Sequence, residues 1–206
     1  MQIAILLYDN FTALDAIGPF QTLSALPDSE VVFVAEEAGP VLDDTRALSF
    51  VATKELRDVT RPDIVVVPGS PAPALDNEAI LGWLRSVDSG TTWTTSVCTG
   101  SLILAAAGLL NGRRATSHWL ALEQIKQFGV EATGQRVVFD GKYVTAAGVS
   151  AGIDMGLTLL GKIAGDECAQ ARQLLIEYDP QPPYDAGSPQ KAPASVVEMV
   201  RGQGAV

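Results

Sequence analysis

The sequence reads as an α/β domain built on a mostly parallel sheet with helices on both faces, and three observations point there. Residues 3–8, 31–35, 64–67, 91–97 and 143–147 are short runs of aliphatic and β-branched residues, with no charged residue and no strict apolar/polar alternation, as suits strands covered on both faces. Stretches of helical periodicity fall between them, the alternation expected of a parallel sheet. Asp140-Gly141 separates the two strand-like halves of 136–145, and Asp-Gly is a preferred pair for a two-residue hairpin turn, so a small antiparallel addition is expected there.

Taken in order, the first strand at 3–8 is followed by a helix over 16–25 and a second strand at 31–35. After the third strand, at 64–67, an amphipathic pattern predicts a helix over 77–89. The fourth strand, 91–97, runs into the aliphatic stretch 99–110 and then a helical pattern over 117–128. Beyond the hairpin, Ile153, Leu157, Leu160 and Ala164 recur at helical spacing and define one buried face of a helix over 151–164. A further helix is expected over 166–178. Between 179 and 193 five prolines and a Gly-Ser pair forbid regular structure. Tyr178 and Tyr184 favour an extended strap laid over the body at about 179–194 rather than a free linker, with a short helix at 195–200 after it. No internal repeat or second core is visible, so residues 1–206 are expected to form one domain.

Composition narrows the function. At 206 residues and 47% hydrophobic content the chain can bury a substantial core. A net charge of −10, with Arg113-Arg114 as the single basic pair, argues against a nucleic-acid partner and for a small or neutral substrate. The longest aliphatic run, 102–110, falls well short of a membrane span, and the N-terminus lacks a positive leader. Two cysteines without a CxxC spacing suit a reducing compartment. A cytoplasmic protein with no membrane partner is expected.

The stretch TTWTTSVCTGS, 91–101, places Cys98 where a strand ends and a helix begins. A side chain on such a turn stands clear of the sheet, and the following helix aims unpaired N–H groups at it, which favours a thiolate. Cys168, inside a helical pattern, reads as a packing residue. Groups that could serve Cys98 should also follow strands, because α/β sheets build sites at the carboxyl ends of their strands. Asp15 lies after the first strand in apolar company beside a Gly18-Pro19 turn, and it suits either an acid role or a helix N-cap. After the third strand, Gly69 and Ser70 form a turn whose backbone N–H, with that of Thr99, could hold developing negative charge, or which is an ordinary loop. The small-residue turn 147–152, with Val149 at its centre, either walls a pocket or permits tight packing. His118, the lone histidine, does not directly follow a strand and reads as structural or superficial; one histidine also makes a metal site improbable. No GxGxxG follows a strand, so a dinucleotide cofactor is not indicated.

Leu14-Asp15-Ala-Ile-Gly18-Pro19, Val67-Pro68-Gly69-Ser70, Ser96-Val97-Cys98-Thr99-Gly100-Ser101, the run 107–119 and Gly148-Val149-Ser150-Ala151-Gly152-Ile153-Asp154 resemble the ThiJ/PfpI branch of the class I glutamine amidotransferase-like superfamily, and within it the isocyanide hydratases. The likeness continues through the tail 177–197. It implies a flavodoxin-like sandwich, a homodimer with active sites near its interface, and cofactor-free hydration of an isocyanide to an N-substituted formamide. In that reading Cys98 is the nucleophile, Asp15 its acid/base partner and Thr99 a neighbour, with Gly69, Ser70 and Val149 against a small neutral organic substrate. Three departures from relatives matter. Peptidase relatives carry histidine where Thr99 stands, deglycase and glyoxalase relatives use a glutamate where Asp15 is offered, and many members have a second glycine in place of Ser70. A glyoxalase or deglycase acting on dicarbonyls and a non-catalytic cysteine redox sensor are the alternatives.

Overall fold

The computed structural model describes residues 1–202. In chain order the elements are β1 (Gln2–Leu6), α1 (Ala13–Leu23), β2 (Glu30–Ala35), β3 (Gly39–Leu42), β4 (Ser49–Ala52), β5 (Lys54–Glu55), β6 (Ile64–Val67), α2 (Glu78–Asp88), β7 (Trp93–Val97), α3 (Gly100–Ala106), β8 (Arg114–Ala115), α4 (Leu122–Ile125), β9 (Glu131–Ala132), β10 (Val137–Asp140), β11 (Tyr143–Ala146), α5 (Ala151–Ala164), α6 (Asp166–Leu175) and α7 (Ala194–Gly202). Seven strands form the main sheet in the order β10-β11-β7-β6-β1-β2-β5. Every neighbouring pair is parallel except β10 with β11; these turn through Gly141-Lys142, with Gly141 at φ +60° as the first turn residue, one position beyond the expected Asp140-Gly141 pair because Asp140 stays in the strand opposite Tyr143.

Burial explains the continuous apolar runs. Every residue of β6 and β11 is buried, because α1, α5 and α6 pack together against the sheet and α2, α3 and α4 form a second packed group against it. The parallel strands put the ends of β1, β6, β7 and β11 at one edge, where the chain enters α1, α3 and α5.

Helix α1 corrects two expectations. It begins at Ala13 with Thr12 as N-cap, so Asp15 is not the cap but a first-turn residue. Gly18-Pro19 is not a turn: the helix runs through it although Pro19 cannot donate to the Asp15 carbonyl. Packing overrides the local preference here. Pro19 lies against Gly152 of α5, and Gly156 receives the Thr22 side chain so closely that any Cβ would overlap the Thr22 hydroxyl. That hydroxyl donates to the Gly18 and Pro19 carbonyls, 3.0 Å in each case.

Other boundaries moved for local reasons. The helix expected over 99–110 ends at Ala106, before Gly108 takes φ +83°. The stretch 117–128 is the single α-turn α4 between two 3-10 turns, Trp119–Ala121 and Lys126–Phe128. The helix of 166–178 stops at Leu175, with Glu177 at φ +48°. The β3–β4 hairpin and the two-residue strands β5, β8 and β9 carried no apolar run long enough to read. Residues 179–192 form neither helix nor strand, as expected. Tyr184 is exposed, whereas Tyr178 lies beside Arg136 and Asp154, so only one of the two tyrosines meets the body. Among the described residues no helix is long and apolar enough to cross a membrane.

Gly156→Ala should lower the unfolding free energy by about 1–3 kcal/mol through overpacking of α1 on α5, read as a lower urea midpoint. Adding Thr22→Ala should restore part of that loss, and an additive second loss would show that the helix contact is not the cause.

Candidate active site

Cys98 occupies the first residue after β7 and takes φ +59°, the left-handed region that a non-glycine residue enters only when its surroundings impose it. Four hydrogen bonds impose it here. The Cys98 N–H donates to the carbonyls of Ala146 and Ala147 at 3.1 and 3.0 Å, and its carbonyl accepts from the Ser101 and Ser117 hydroxyls at 3.2 and 3.1 Å. The turn can close only over a glycine, since a Cβ on Gly100 would overlap the Val67 carbonyl oxygen. Val149 is the second strained residue, at φ +27°. Its N–H and that of Thr99 lie by the Cys98 sulfur and favour its ionised form.

Asp15 reaches the same point from α1 and is 0% exposed. Its Oδ2 accepts the Gly69 N–H at 2.8 Å, its Oδ1 is buried without a partner, and the Cys98 side chain stands close enough to act on its titration. Burial raises the Asp15 pKa to about 7, opposed by the Gly69 N–H and assisted by the charge of Asp44. The thiol goes the same way. Burial, and then the Asp15 charge, push Cys98 up to about 12 against the N–H groups of Val149 and Thr99. Against the expectation of a thiolate favoured by helix dipoles, burial at 2% exposure works the other way and favours the neutral thiol. Both shifts favour the protonated pair, with Asp15 its more acidic member.

The neighbouring residues divide differently from the sequence expectation. The Gly69 N–H is taken by Asp15 and the Ser70 N–H by the Thr99 Oγ1 at 2.8 Å, while the Thr99 N–H serves the sulfur. No oxyanion pocket forms from these groups, and buried Gly69 and Ser70 hold the acid and the elbow rather than a ligand. Gly69 must be glycine for this, because a Cβ would stand 2.6 Å from Thr99 N and Oγ1. The Thr99 hydroxyl donates its one proton to the Ser70 carbonyl at 2.7 Å and so locks the β6 loop to the elbow. Tyr8, unmarked in the sequence, stands beside the pair: its hydroxyl donates to the Pro68 carbonyl at 2.9 Å, and burial, followed by the charges of Asp15 and Cys98, raises its pKa well above the ordinary value. The one available signal was its place directly after β1. Cys168 is half-buried against the core, away from this cluster.

A cavity of about 400 Å³ opens next to the elbow, with Leu14, Ser117, His118, Val149 and the strap residues 187–190 in its walls. His118, expected to be structural or superficial, is buried and caps the 3-10 turn after it, with Nδ1 accepting from the Leu120 N–H. No group of three or more His, Cys, Asp or Glu among the described residues could hold a metal ion.

The model of the DJ-1/PfpI family matches residues 1–162, which contain the elbow, Asp15 and Val149. The chain belongs to the DJ-1/PfpI family. An isonitrile hydratase of Pseudomonas putida is 41% identical over 207 aligned residues, covering 100% of this chain and 90% of that protein. A deglycase of Thermococcus kodakarensis is 29% identical over 71% of this chain and 89% of its own length. Among solved structures, a ThiJ/PfpI family protein from Pseudomonas syringae superposes with a TM-score of 0.93 at 37% identity, covering 97% of this chain and 84% of that one. The names of these relatives cover a hydratase and a deglycase, so membership of the DJ-1/PfpI family does not by itself fix the reaction.

The raised Asp15 pKa carries a stability consequence. The native state holds that proton more tightly than the unfolded chain, so the contribution is whole below the ordinary value of 3.8 and is lost as pH rises through about 7. Asp15→Asn removes the titration. Its urea midpoint relative to the native chain should therefore shift in the variant's favour between about pH 5 and about pH 7.5, and a difference independent of pH would mean that Asp15 ionises normally.

Proposed function

We propose that this protein hydrates an isocyanide to an N-substituted formamide, with Cys98 as nucleophile and Asp15 as the group that moves protons. The observation that carries the reading is the buried pairing of a thiol with a carboxyl whose pKa is about 7. The whole-length likeness to an isonitrile hydratase supports the same reaction.

The pair suits the demands of the substrate. An isocyanide carbon accepts a nucleophile and is left with a lone pair that must be protonated, so one group has to accept a proton and return it nearby. The Asp15 carboxylate takes the thiol proton as sulfur bonds to the isocyanide carbon, then delivers that proton to the same carbon. The product is a thioimidate, R–N=CH–S–Cys98. Water then adds to its carbon while Asp15 accepts a water proton and passes it to nitrogen. The tetrahedral adduct expels sulfur, which recovers a proton as the formamide leaves. The sum is RNC plus water giving RNHCHO, with no electrons lost or gained and no cofactor required. The N–H groups of Val149 and Thr99 steady the sulfur as it gains and loses charge, and the Thr99–Ser70 lock holds Asp15 and Cys98 in register. In the same reading the chain is one domain, works as a cytoplasmic homodimer, and takes a small neutral organic substrate.

The assay is formation of the formamide from an aryl or alkyl isocyanide. Cys98→Ala should abolish it, and Asp15→Asn should lower kcat/KM by roughly 10²–10⁴-fold. Because the working form of the pair has lost one proton, kcat/KM should climb with pH through an apparent value near 7. Activity that falls over that range would reverse the assigned roles. Consumption of methylglyoxal without isocyanide turnover would replace the reading with the deglycase one.

A further inference from the structure

The Pro-rich segment after α6 and the lone histidine take no part in the chemistry just described, yet they meet at one place. Strap residues 187–190 close one side of the 400 Å³ cavity whose walls also include Val149, the residue whose backbone N–H lies by the Cys98 sulfur. The strap is held there from both ends. Tyr178 lies beside Arg136 and Asp154 before it. After it, α7 sets the Arg201 guanidinium 5.6 Å from the Trp119 ring centre, and the carbonyl of Ser188 accepts from the N–H groups of Lys191 and Ala192 at 3.0 and 2.9 Å.

The walls are mixed in character. Leu14, Trp119, Leu122 and Pro189 supply apolar surface. His118 supplies a directed polar group: Nδ1 accepts from the Leu120 N–H at 3.4 Å, which leaves the ring proton on Nε2. The Cδ2–Nε2 edge of the ring faces Gly148, itself part of the cavity wall, where a Cβ would stand 2.6 Å from Cδ2. A space of about 150 Å³ admits one benzene ring, so the cavity accommodates a ring together with a further group of similar size.

Resting on the proposed reaction, we infer that this cavity is the subsite for the N-substituent of the isocyanide, taking a ring-sized aryl or cycloalkyl group whose hydrogen-bond acceptor meets the Nε2–H of His118. The strap is then the specificity-determining wall. Short alkyl isocyanides would react at Cys98 without using it.

Three measurements test this, two for the cavity and one for His118. The first is the rate of Cys98 alkylation by N-phenyl iodoacetamide divided by the rate with iodoacetamide, each measured against glutathione as the free thiol. The native chain should favour the phenyl reagent by about tenfold over glutathione, the effect of 1.4 kcal/mol of added binding, and Ser188→Trp, which fills the cavity from the strap, should return the ratio to that of glutathione. The second is kcat/KM for phenyl isocyanide over that for methyl isocyanide, which should fall by a similar factor in Ser188→Trp. A native alkylation ratio equal to that of glutathione, or ratios unmoved by Ser188→Trp, would overturn the subsite. If no isocyanide is turned over, the proposed reaction fails while the alkylation ratio still decides whether the cavity binds rings. N-(4-acetylphenyl) iodoacetamide should be favoured over the phenyl reagent in the native chain and lose that advantage in His118→Phe; an advantage that persists would remove His118 from the subsite.

Discussion

Everything at this site follows from a thiol and a carboxyl being buried side by side. In water either group would ionise according to its own pKa. Here desolvation raises both, to about 12 for Cys98 and about 7 for Asp15, so the two cannot readily be charged together. The arrangement stores a proton where a carbon nucleophile-acceptor would need it delivered, and water has little access to intervene. A free thiolate at the protein surface would be more reactive toward electrophiles in general and less able to return a proton to the atom it attacks.

Holding such a pair requires a rigid frame. Cys98 and Val149 both sit in left-handed backbone conformations that cost of order 1–3 kcal/mol each, and their hydrogen bonds come from elements that the sheet fixes first. The Ala146 and Ala147 carbonyls grip the elbow from β11 and its exit, the Thr99 hydroxyl ties it to Ser70 after β6, and Gly69 ties that loop to Asp15 in α1. Four parallel strand ends thus deliver one reactive arrangement. The glycines at 69 and 100 are the points where the backbone must pass closer than any side chain allows.

Much of this was legible in the sequence and some of it was not, for physical reasons. The central strands announced themselves because double-sided burial leaves uniform apolar runs, and the Asp140-Gly141 turn and the elbow at Cys98 have local chemistry of their own. Asp15 could be singled out by its place after a strand, but its helix could not be drawn correctly, since the packing of Pro19 on Gly152 defeats the local meaning of Gly-Pro. The opposing pull of burial on Cys98 could not be read, because dipoles can be inferred from a strand-to-helix junction whereas the degree of burial cannot. Gly69 and Ser70 were rightly placed beside the elbow, but which N–H groups would be left over for a ligand is a matter of tertiary bonding. Tyr8 went unnoticed because it continues an apolar run, and β5, β8 and β9 are too short to leave a pattern.

The reacting pair is assembled entirely from residues between Asp15 and Val149, inside the 1–162 stretch shared across the DJ-1/PfpI family, whereas residues 187–190 that wall the adjoining cavity lie outside it. In the proposed reading, substitutions in that tail would alter which substituent the cavity admits while leaving the Cys98–Asp15 pair as it is, so substrate choice and proton transfer are carried by separate stretches of the chain.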